Sequence, residues 1–172
     1  MPTIMFDLTD AEQWARDMGL SPDDLPTQTK CFDEELQEFK DAKTPLERLD
    51  ALADMLQVIA CIKVCGGDIS AYYDRFENCW LISEFAAEQI RLALKEVVRS
   101  NYSKFVEGEN AASREISRHH ANGLFVGYRK AGVTTYKIVS LKDQHDNAGK
   151  FVPKGKVLKP ESYFEPKLGQ FL

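Results

Sequence analysis

The sequence predicts a mainly α-helical fold with a small β appendage toward its C-terminal end. Apolar residues recur at three- and four-residue steps through most of the first hundred positions, the helical signature. Helix punctuation recurs among them: Thr44-Pro45 as a start, Gly66-Gly67 as a stop. After Phe105 the composition turns to short β-branched and aromatic runs separated by glycines, which reads as strands. The expected organisation is a helical core over residues 1–106, with residues 107–172 forming a loop, a β-hairpin and a C-terminal tail packed on it. A chain of 172 residues suits such a single domain overall.

Residues 9–19 read as a short helix, with Thr9 and Asp10 as capping signals, Ala11, Trp14, Ala15 and Met18 as one apolar stripe, and Gly19 as its stop. Residues 21–26 form a turn-rich link. A first acidic helix follows over about residues 27–41, with Leu36 and Phe39 on its apolar side. Thr44 caps a second, with Pro45 at its first position and Glu47 three residues after the cap. Leu46, Leu49, Leu52, Ala53, Leu56 and Ile59 carry that helix toward Val64. The short connection makes the two helices antiparallel neighbours. Residues 68–79 give a further helix and residues 83–104 the last long one. Residues 107–122 are polar and read as a loop or weak helix. Residues 124–128 and 134–141 form a hairpin around Ala131-Gly132, and residues 151–158 add a strand across the turn at Asp146-Asn147-Ala148-Gly149.

Composition bounds the function. The hydrophobic share of 44% and charged share of 28% are those of an ordinary globular protein. A net charge of −5 argues against general affinity for nucleic-acid polymers or anionic membranes. No apolar run approaches the roughly 20 residues of a membrane span, and the N-terminus shows no signal-peptide pattern. Cys31, Cys61, Cys65 and Cys79 lack CxxC or disulfide-framework spacing, and Cys61 and Cys65, among Val58, Ile59, Ile62 and Val64, read as buried free thiols, which points to a reducing cytoplasm. His119-His120 and His145 have no matched metal-ligand spacing and read as surface or loop residues. The signatures of P-loop, Rossmann and hydrolase-elbow mechanisms are missing.

The chemistry sits in the two acidic clusters, Glu34-Glu35-x-x-Glu38 and Glu47-x-x-Asp50-x-x-x-Asp54. At about 100° per residue, Glu35 and Glu38 fall roughly 60° apart on one helix, and Asp50 and Asp54 roughly 40° apart on the other. Crowded carboxylates repel unless a divalent cation lies between them, and oxygen-only donors favour magnesium or manganese over zinc. The bland alternative is a pair of solvated acidic helix faces. Asp54 tilts the balance, because Leu52-Ala53-Asp54-Met55-Leu56 is an apolar run where a merely solvated carboxylate is less expected.

These segments resemble a known family. Glu34-Glu35-Leu36-Gln37-Glu38 is similar to the EExxE motif of the all-α nucleoside triphosphate pyrophosphohydrolases, the MazG and phosphoribosyl-ATP pyrophosphohydrolase-like superfamily. Leu49-Asp50-Ala51-Leu52-Ala53-Asp54 resembles its second motif, usually ExxD, with Ala51 where the glutamate would stand and Asp50 one place earlier. Residues 99–105, RSNYSKF, are similar to the SNxxKF-like segment of the phage and bacterial branch, and Gly155–Pro160 with Tyr163–Pro166 to its C-terminal tail.

The resemblance implies a MazG-like helical bundle, with residues 1–106 as the catalytic core, that hydrolyses a nucleoside triphosphate to monophosphate and pyrophosphate. It implies magnesium, with manganese as a substitute, on Glu35, Glu38, Asp50 and Asp54. It assigns catalysis to Glu34, Glu35, Glu38 and Asp54, with Glu34 as the carboxylate that activates water. Substrate contacts fall to Asn101, Lys104, Lys159 and Tyr163. A homodimer or homotetramer in the cytoplasm (the host's, if phage-encoded) is implied too. Two alternatives stay open: hydrolysis of phosphoribosyl-ATP or a similar nucleotide, and a non-catalytic helical module that binds nucleotides or a partner, with Ala51 as the mark of a decayed site.

Overall fold

The computed structural model describes residues 5–172; the reading of an N-terminus without a signal pattern falls partly on residues 1–4, outside that range. The described chain is mainly helical with a small strand portion. It divides into two compact units, one formed by residues up to 99 with 166–172, the other by residues 100–165. The sequence placed its compositional change slightly later, at 106/107.

The first unit is built from helices. The first, α1, spans Thr9–Asp17. Its start is held from two residues upstream of Thr9: the Asp7 carboxylate accepts from the Thr9 backbone N–H at 2.9 Å and from its hydroxyl at 2.6 Å. Those hydrogen bonds hold the Asp7 carboxyl below its ordinary range. A single 3-10 turn, Pro22–Asp24, leads into α2, Leu25–Asp41, two residues earlier than the pattern suggested.

Helix α3, Pro45–Val64, begins as its sequence requires. The Glu47 N–H donates to the Thr44 hydroxyl, and the Glu47 carboxylate accepts from the Thr44 and Lys43 N–H groups at 2.9 and 2.6 Å. This helix is the centre of the unit. Leu49, Leu52, Ala53, Met55, Leu56, Ile59, Ala60 and Ile62 are fully buried, and α3 packs against α1, α2 and the next helix. Each such large apolar side chain contributes about 1.5–3 kcal/mol by leaving water. Gly66 and Gly67 stop α3, and the second has no room for a side chain. A Cβ on Gly67 would lie 2.6 Å from a methyl of Ile62 and 2.8 Å from one of Leu25.

Helix α4 spans Ser70–Ser83 and again starts on an upstream aspartate, Asp68, which accepts from the Ser70 N–H and hydroxyl. It runs four residues past the expected end at Cys79, and beyond its end the indole of Trp80 donates to the Phe85 carbonyl at 2.8 Å. Leu81 and Ile82 in that extension are 74% and 72% exposed, so they add no core periodicity to read. Arg75 ties α4 to α2: its guanidinium bonds Asp33 at 2.7 Å and stacks 5.0 Å from the centre of the Phe32 ring. Helix α5, Ala87–Tyr102, crosses the division at 99/100. Within the first unit, Glu96 binds Arg99 and accepts from the Lys167 N–H at 3.0 Å, and Gln89 donates to the Phe171 carbonyl.

The second unit is a small antiparallel sheet with one helix. Strand β1 is Phe105–Glu107, β2 Val126–Ala131, β3 Thr135–Ser140 and β6 Val157–Leu158. A hairpin forms as expected, but its first strand is residues 126–131 rather than 124–128, so Ala131, expected between the strands, lies in β2 opposite Thr135, with Val126 opposite Ser140. The other edge of β3 is shared: β1 pairs Phe105 with Lys137, and β6 pairs Leu158 with Ile138. The single strand expected over residues 151–158 is therefore two. Its first part, β5 (Phe151–Val152), pairs with β4 (Gln144–His145).

Residues 107–122 are not a loop. They hold the end of β1 and a regular helix α6, Glu109–Ala121. Ala112 is fully buried with Val106, Val126 and Ile138, so a narrow apolar stripe suffices to seat a helix whose other faces are polar. His119, read as a surface or loop histidine, is 6% exposed and lies 3.8 Å from Glu115. Burial lowers its pKa, the Arg118 charge adds to that, and Glu115 opposes it.

Candidate functional site

The acidic segments occupy the α2–α3 hairpin, and burial sorts their carboxylates. On α2, Phe32 and Phe39 form the packed stripe, and Glu35 lies at its flank, roughly 40° from Phe39 on the helical wheel. Glu35 is accordingly half-buried, with one carboxylate oxygen shut off from solvent, while Glu34 and Glu38 are exposed. On α3, Asp50 and Asp54 are half-buried on a helix otherwise packed over most of its circumference. That matches the expectation for a carboxylate inside the Leu52–Leu56 apolar run.

A cleft of about 370 Å³ opens beside the hairpin connection, lined by Glu38, Asp41, Ala42, Lys43, Glu47 and Asp50. It brings Glu38 of α2 to the same cavity as Asp50 of α3, and adds Asp41 and Lys43. Glu35 and Asp54 are not among its lining residues. Asp41 stands three residues after Glu38, a spacing on one helix face that would have found it. Glu47 is committed to the cap, and the Lys43 and then the Thr44 N–H hydrogen bonds hold its carboxyl low.

Ala51, at the departure from the usual second motif, is 2% exposed. The substitution therefore falls on a packed position, and it is Asp50 that lines the cleft. The field on the α2 side is negative: Cys31 is pushed up by burial first, then by the charges of Glu34 and Glu35.

Among the described residues, no group of three or more His, Cys, Asp or Glu side chains is placed to hold a metal ion. The donor set still suits magnesium chemically. That ion takes oxygen ligands, commonly one or two carboxylates, and fills its octahedron with water and substrate phosphates. A cage of four protein carboxylates is not what the hairpin forms.

The residues matched to substrate contacts all belong to the second unit. Asn101 lies in the last turn of α5, and Lys104 stands two residues beyond the helix end rather than on it. The Lys104 ammonium donates to Asn101 Oδ1 at 2.8 Å. Lys159 Nζ reaches Glu165 at 3.1 Å and sits 4.4 Å from the centre of the Tyr163 ring. The Tyr163 hydroxyl donates to the same carboxylate at 3.1 Å. Ser100 and Ser103 pin the segment, Ser100 through its hydroxyl to the Phe164 carbonyl at 2.8 Å and Ser103 by accepting from the Phe164 N–H at 3.2 Å. Burial draws the Lys159 ammonium down, but the Glu165 and Tyr163 interactions outweigh it and raise its pKa. Glu165, which the sequence reading missed, is held low chiefly by its Lys159 hydrogen bond, with the Lys104 charge also contributing.

The thiols carry no such chemistry. Cys61, Cys65 and Cys79 are buried, Cys31 is half-buried, and none of the four is in a disulfide. No described helix is long and apolar enough to cross a membrane. No family model matches the chain, and no curated protein or solved structure matches it either.

Proposed function

We propose that the protein is a metal-dependent nucleoside triphosphate pyrophosphohydrolase, releasing pyrophosphate from a (deoxy)nucleoside triphosphate. The observation that carries the reading is the α2–α3 hairpin, which sets Glu38 and Asp50 at one cleft with Glu35 and Asp54 half-buried on the same two helices. The resemblance of residues 34–38, 49–54, 99–105 and 155–166 to the MazG-like segments supports the same choice. Magnesium or manganese would be held by Glu38 and Asp50 at the cleft, with Glu35 and Asp54, the other carboxylates the resemblance names, outside its lining. When bound, it supplies charge neutralisation and a more acidic water.

The chain's own residues take the remaining roles. Glu34, exposed beside Glu35, accepts the proton of the attacking water. Lys104 and Lys159 offer cationic donors for phosphate oxygens, Asn101 orients Lys104, and Tyr163 offers a ring and a hydroxyl. We further propose a homodimer or homotetramer acting in the cytoplasm. A second reading, a nucleotide-binding module without turnover, is favoured by one observation: no three-carboxylate group is assembled.

A single experiment separates them. Nucleoside triphosphates, and phosphoribosyl-ATP beside them, are incubated with the full chain and magnesium, and monophosphate and pyrophosphate are measured. Stoichiometric release abolished by EDTA and by Glu38→Gln is expected. Nucleotide binding without release would leave the binding module, and activity untouched by either treatment would remove the hairpin from the site.

A further inference from the structure

A second cleft opens by the same hairpin connection, and its charge is opposite. It measures about 400 Å³, and its described walls are Phe39, Lys40, Ala42, Arg48, Cys79 and Ile82. Two cations line it and no carboxylate does. Among the described residues, seven of the 22 lysines and arginines stand against an acidic side chain: Arg16, Lys63, Arg75, Arg91, Arg99, Arg118 and Lys159. Neither Lys40 nor Arg48 has an ion pair among the described residues. In a chain of net charge −5, two uncompensated cations at one concavity mark a local site for an anion.

The rest of the wall is apolar. Phe39 and Cys79 form a nearly buried base at 6% and 7% exposure, and Ile82 stands at the rim. The Cys79 thiol is not a nucleophile here. Burial pushes its pKa up, and the nearby Lys40 and Arg75 charges offset that only in part, so it stays protonated and acts as a small hydrophobe. A cavity of this size lies at the lower end of the usual ligand range, about 300–1,000 Å³, room for one ring system beside an anionic group. Two neighbouring cations match a dianion, and a phosphomonoester carries about −1.5 to −2 at neutral pH.

We infer that the cleft between Phe39, Lys40, Arg48 and Ile82 binds a small phosphomonoester with an apolar ring body. Lys40 and Arg48 hold the phosphate; Phe39, Cys79 and Ile82 receive the ring. The inference goes beyond the pyrophosphohydrolase reading, since it uses none of the carboxylates and needs neither divalent metal nor turnover.

The test is an NMR titration of the ¹⁵N-labelled full chain with phenyl phosphate in EDTA, with inorganic phosphate and phenol in parallel. Saturable shifts at the amides of residues 39–44, 46–48 and 79–82 are expected, with either fragment binding at least about tenfold more weakly. The double variant Lys40→Met, Arg48→Met should raise Kd about tenfold or more, as loss of charge-assisted bonds requires. Both side chains are exposed, so its far-ultraviolet circular dichroism should not change. Ile82→Glu, at the exposed rim, places a like charge by the phosphate and should weaken binding without either cation being touched. The inference is overturned by shifts confined to other residues, by no saturation at millimolar ligand, by inorganic phosphate binding as tightly as phenyl phosphate, or by affinity indifferent to both variants.

Discussion

The α2–α3 hairpin and the lysine-bearing segment of the second unit hold their charges in opposite ways. On the hairpin, helix geometry sets Glu34 and Glu38. Glu34 and Glu38 follow from residue spacing and stand in solvent without an ion pair among the described residues. In the second unit the charges are held by other side chains: Asn101 takes the Lys104 ammonium, and Glu165 takes Lys159 and the Tyr163 hydroxyl. A cation could join the hairpin without breaking any contact of Glu34 or Glu38. A phosphate reaching Lys159 must compete with a carboxylate already present. The first arrangement favours recruitment, the second exchange.

The broadest break of this comparison is to unfold one side and watch the other. Leu56→Ala, in the fully buried core of α3, should cost about 2–5 kcal/mol. Ile138→Ala, fully buried under α6, should cost a similar amount in the second unit. Trp14 and Trp80 both lie in the first unit, so tryptophan fluorescence reports that unit alone. Leu56→Ala should lower the fluorescence midpoint in urea while Ile138→Ala moves it much less. Equal shifts would mean that the two units melt as one.

The next effect falls on catalysis. Asp50→Asn should lower kcat/KM by about a hundredfold or more, near 2.7 kcal/mol at the transition state, since Asp50 lines the acidic cleft. Glu47→Gln should leave kinetics unchanged, because its carboxylate is occupied by the Lys43 and Thr44 N–H groups. A reversed pair of outcomes would exclude Asp50 as the replacement for the missing glutamate at Ala51.

Lys104→Met gives the sharper comparison. It keeps the apolar stem, removes the charge and frees Asn101 Oδ1. A fall in kcat/KM of about tenfold or more with an almost unchanged thermal midpoint would place this segment at the phosphates. Unaltered kinetics with a small loss of stability would make Lys104 a cap of the α5 end, and would weaken the family resemblance that rests partly on it.

What the sequence made legible follows the range of the forces involved. The α3 start was readable in full because Thr44, Pro45 and Glu47 act within four residues. Helix α6 was legible only as a loop or weak helix, because its packing rests on few apolar positions, Ala112 chief among them, against strands brought in from residues 126–140. His119 was misread for the same reason: nothing local to His119-His120 shows that the first is buried and the second exposed. At the hairpin, spacing pointed to Glu38 and Asp50, which line the cleft; Asp41 was open to the same reading at three residues from Glu38, whereas Lys43 enters only through the connection's path. In the tail, Lys159 and Tyr163 were singled out by resemblance, whereas the Glu165 carboxylate that Lys159 meets shows only in the folded chain.

The smallest effect is a titration, and it bears on exchange directly. Glu165 titrates below its ordinary 4.5 when folded, so its share of stability is complete above that value and lost as pH falls through the lowered one. Lys159 titrates above its ordinary 10.5, so its share is complete below that value and lost as pH rises through the raised one. Between those limits the pair is fully charged, and its contribution should be flat from about pH 6 to 9. Both side chains are largely exposed, so screening keeps any change in the thermal midpoint small. The Lys159 ε-methylene and Tyr163 ring NMR shifts are the sensitive readout. They should move together below pH 4.5 in the parent and stay still there in Glu165→Gln. If inorganic phosphate competes for Lys159, Glu165→Gln should bind it more tightly at neutral pH, because the resident carboxylate charge is gone. Equal phosphate affinity in parent and variant would show that the Lys159–Glu165 pair is a fastening of the tail, and would leave Lys104 to carry the phosphate contact alone.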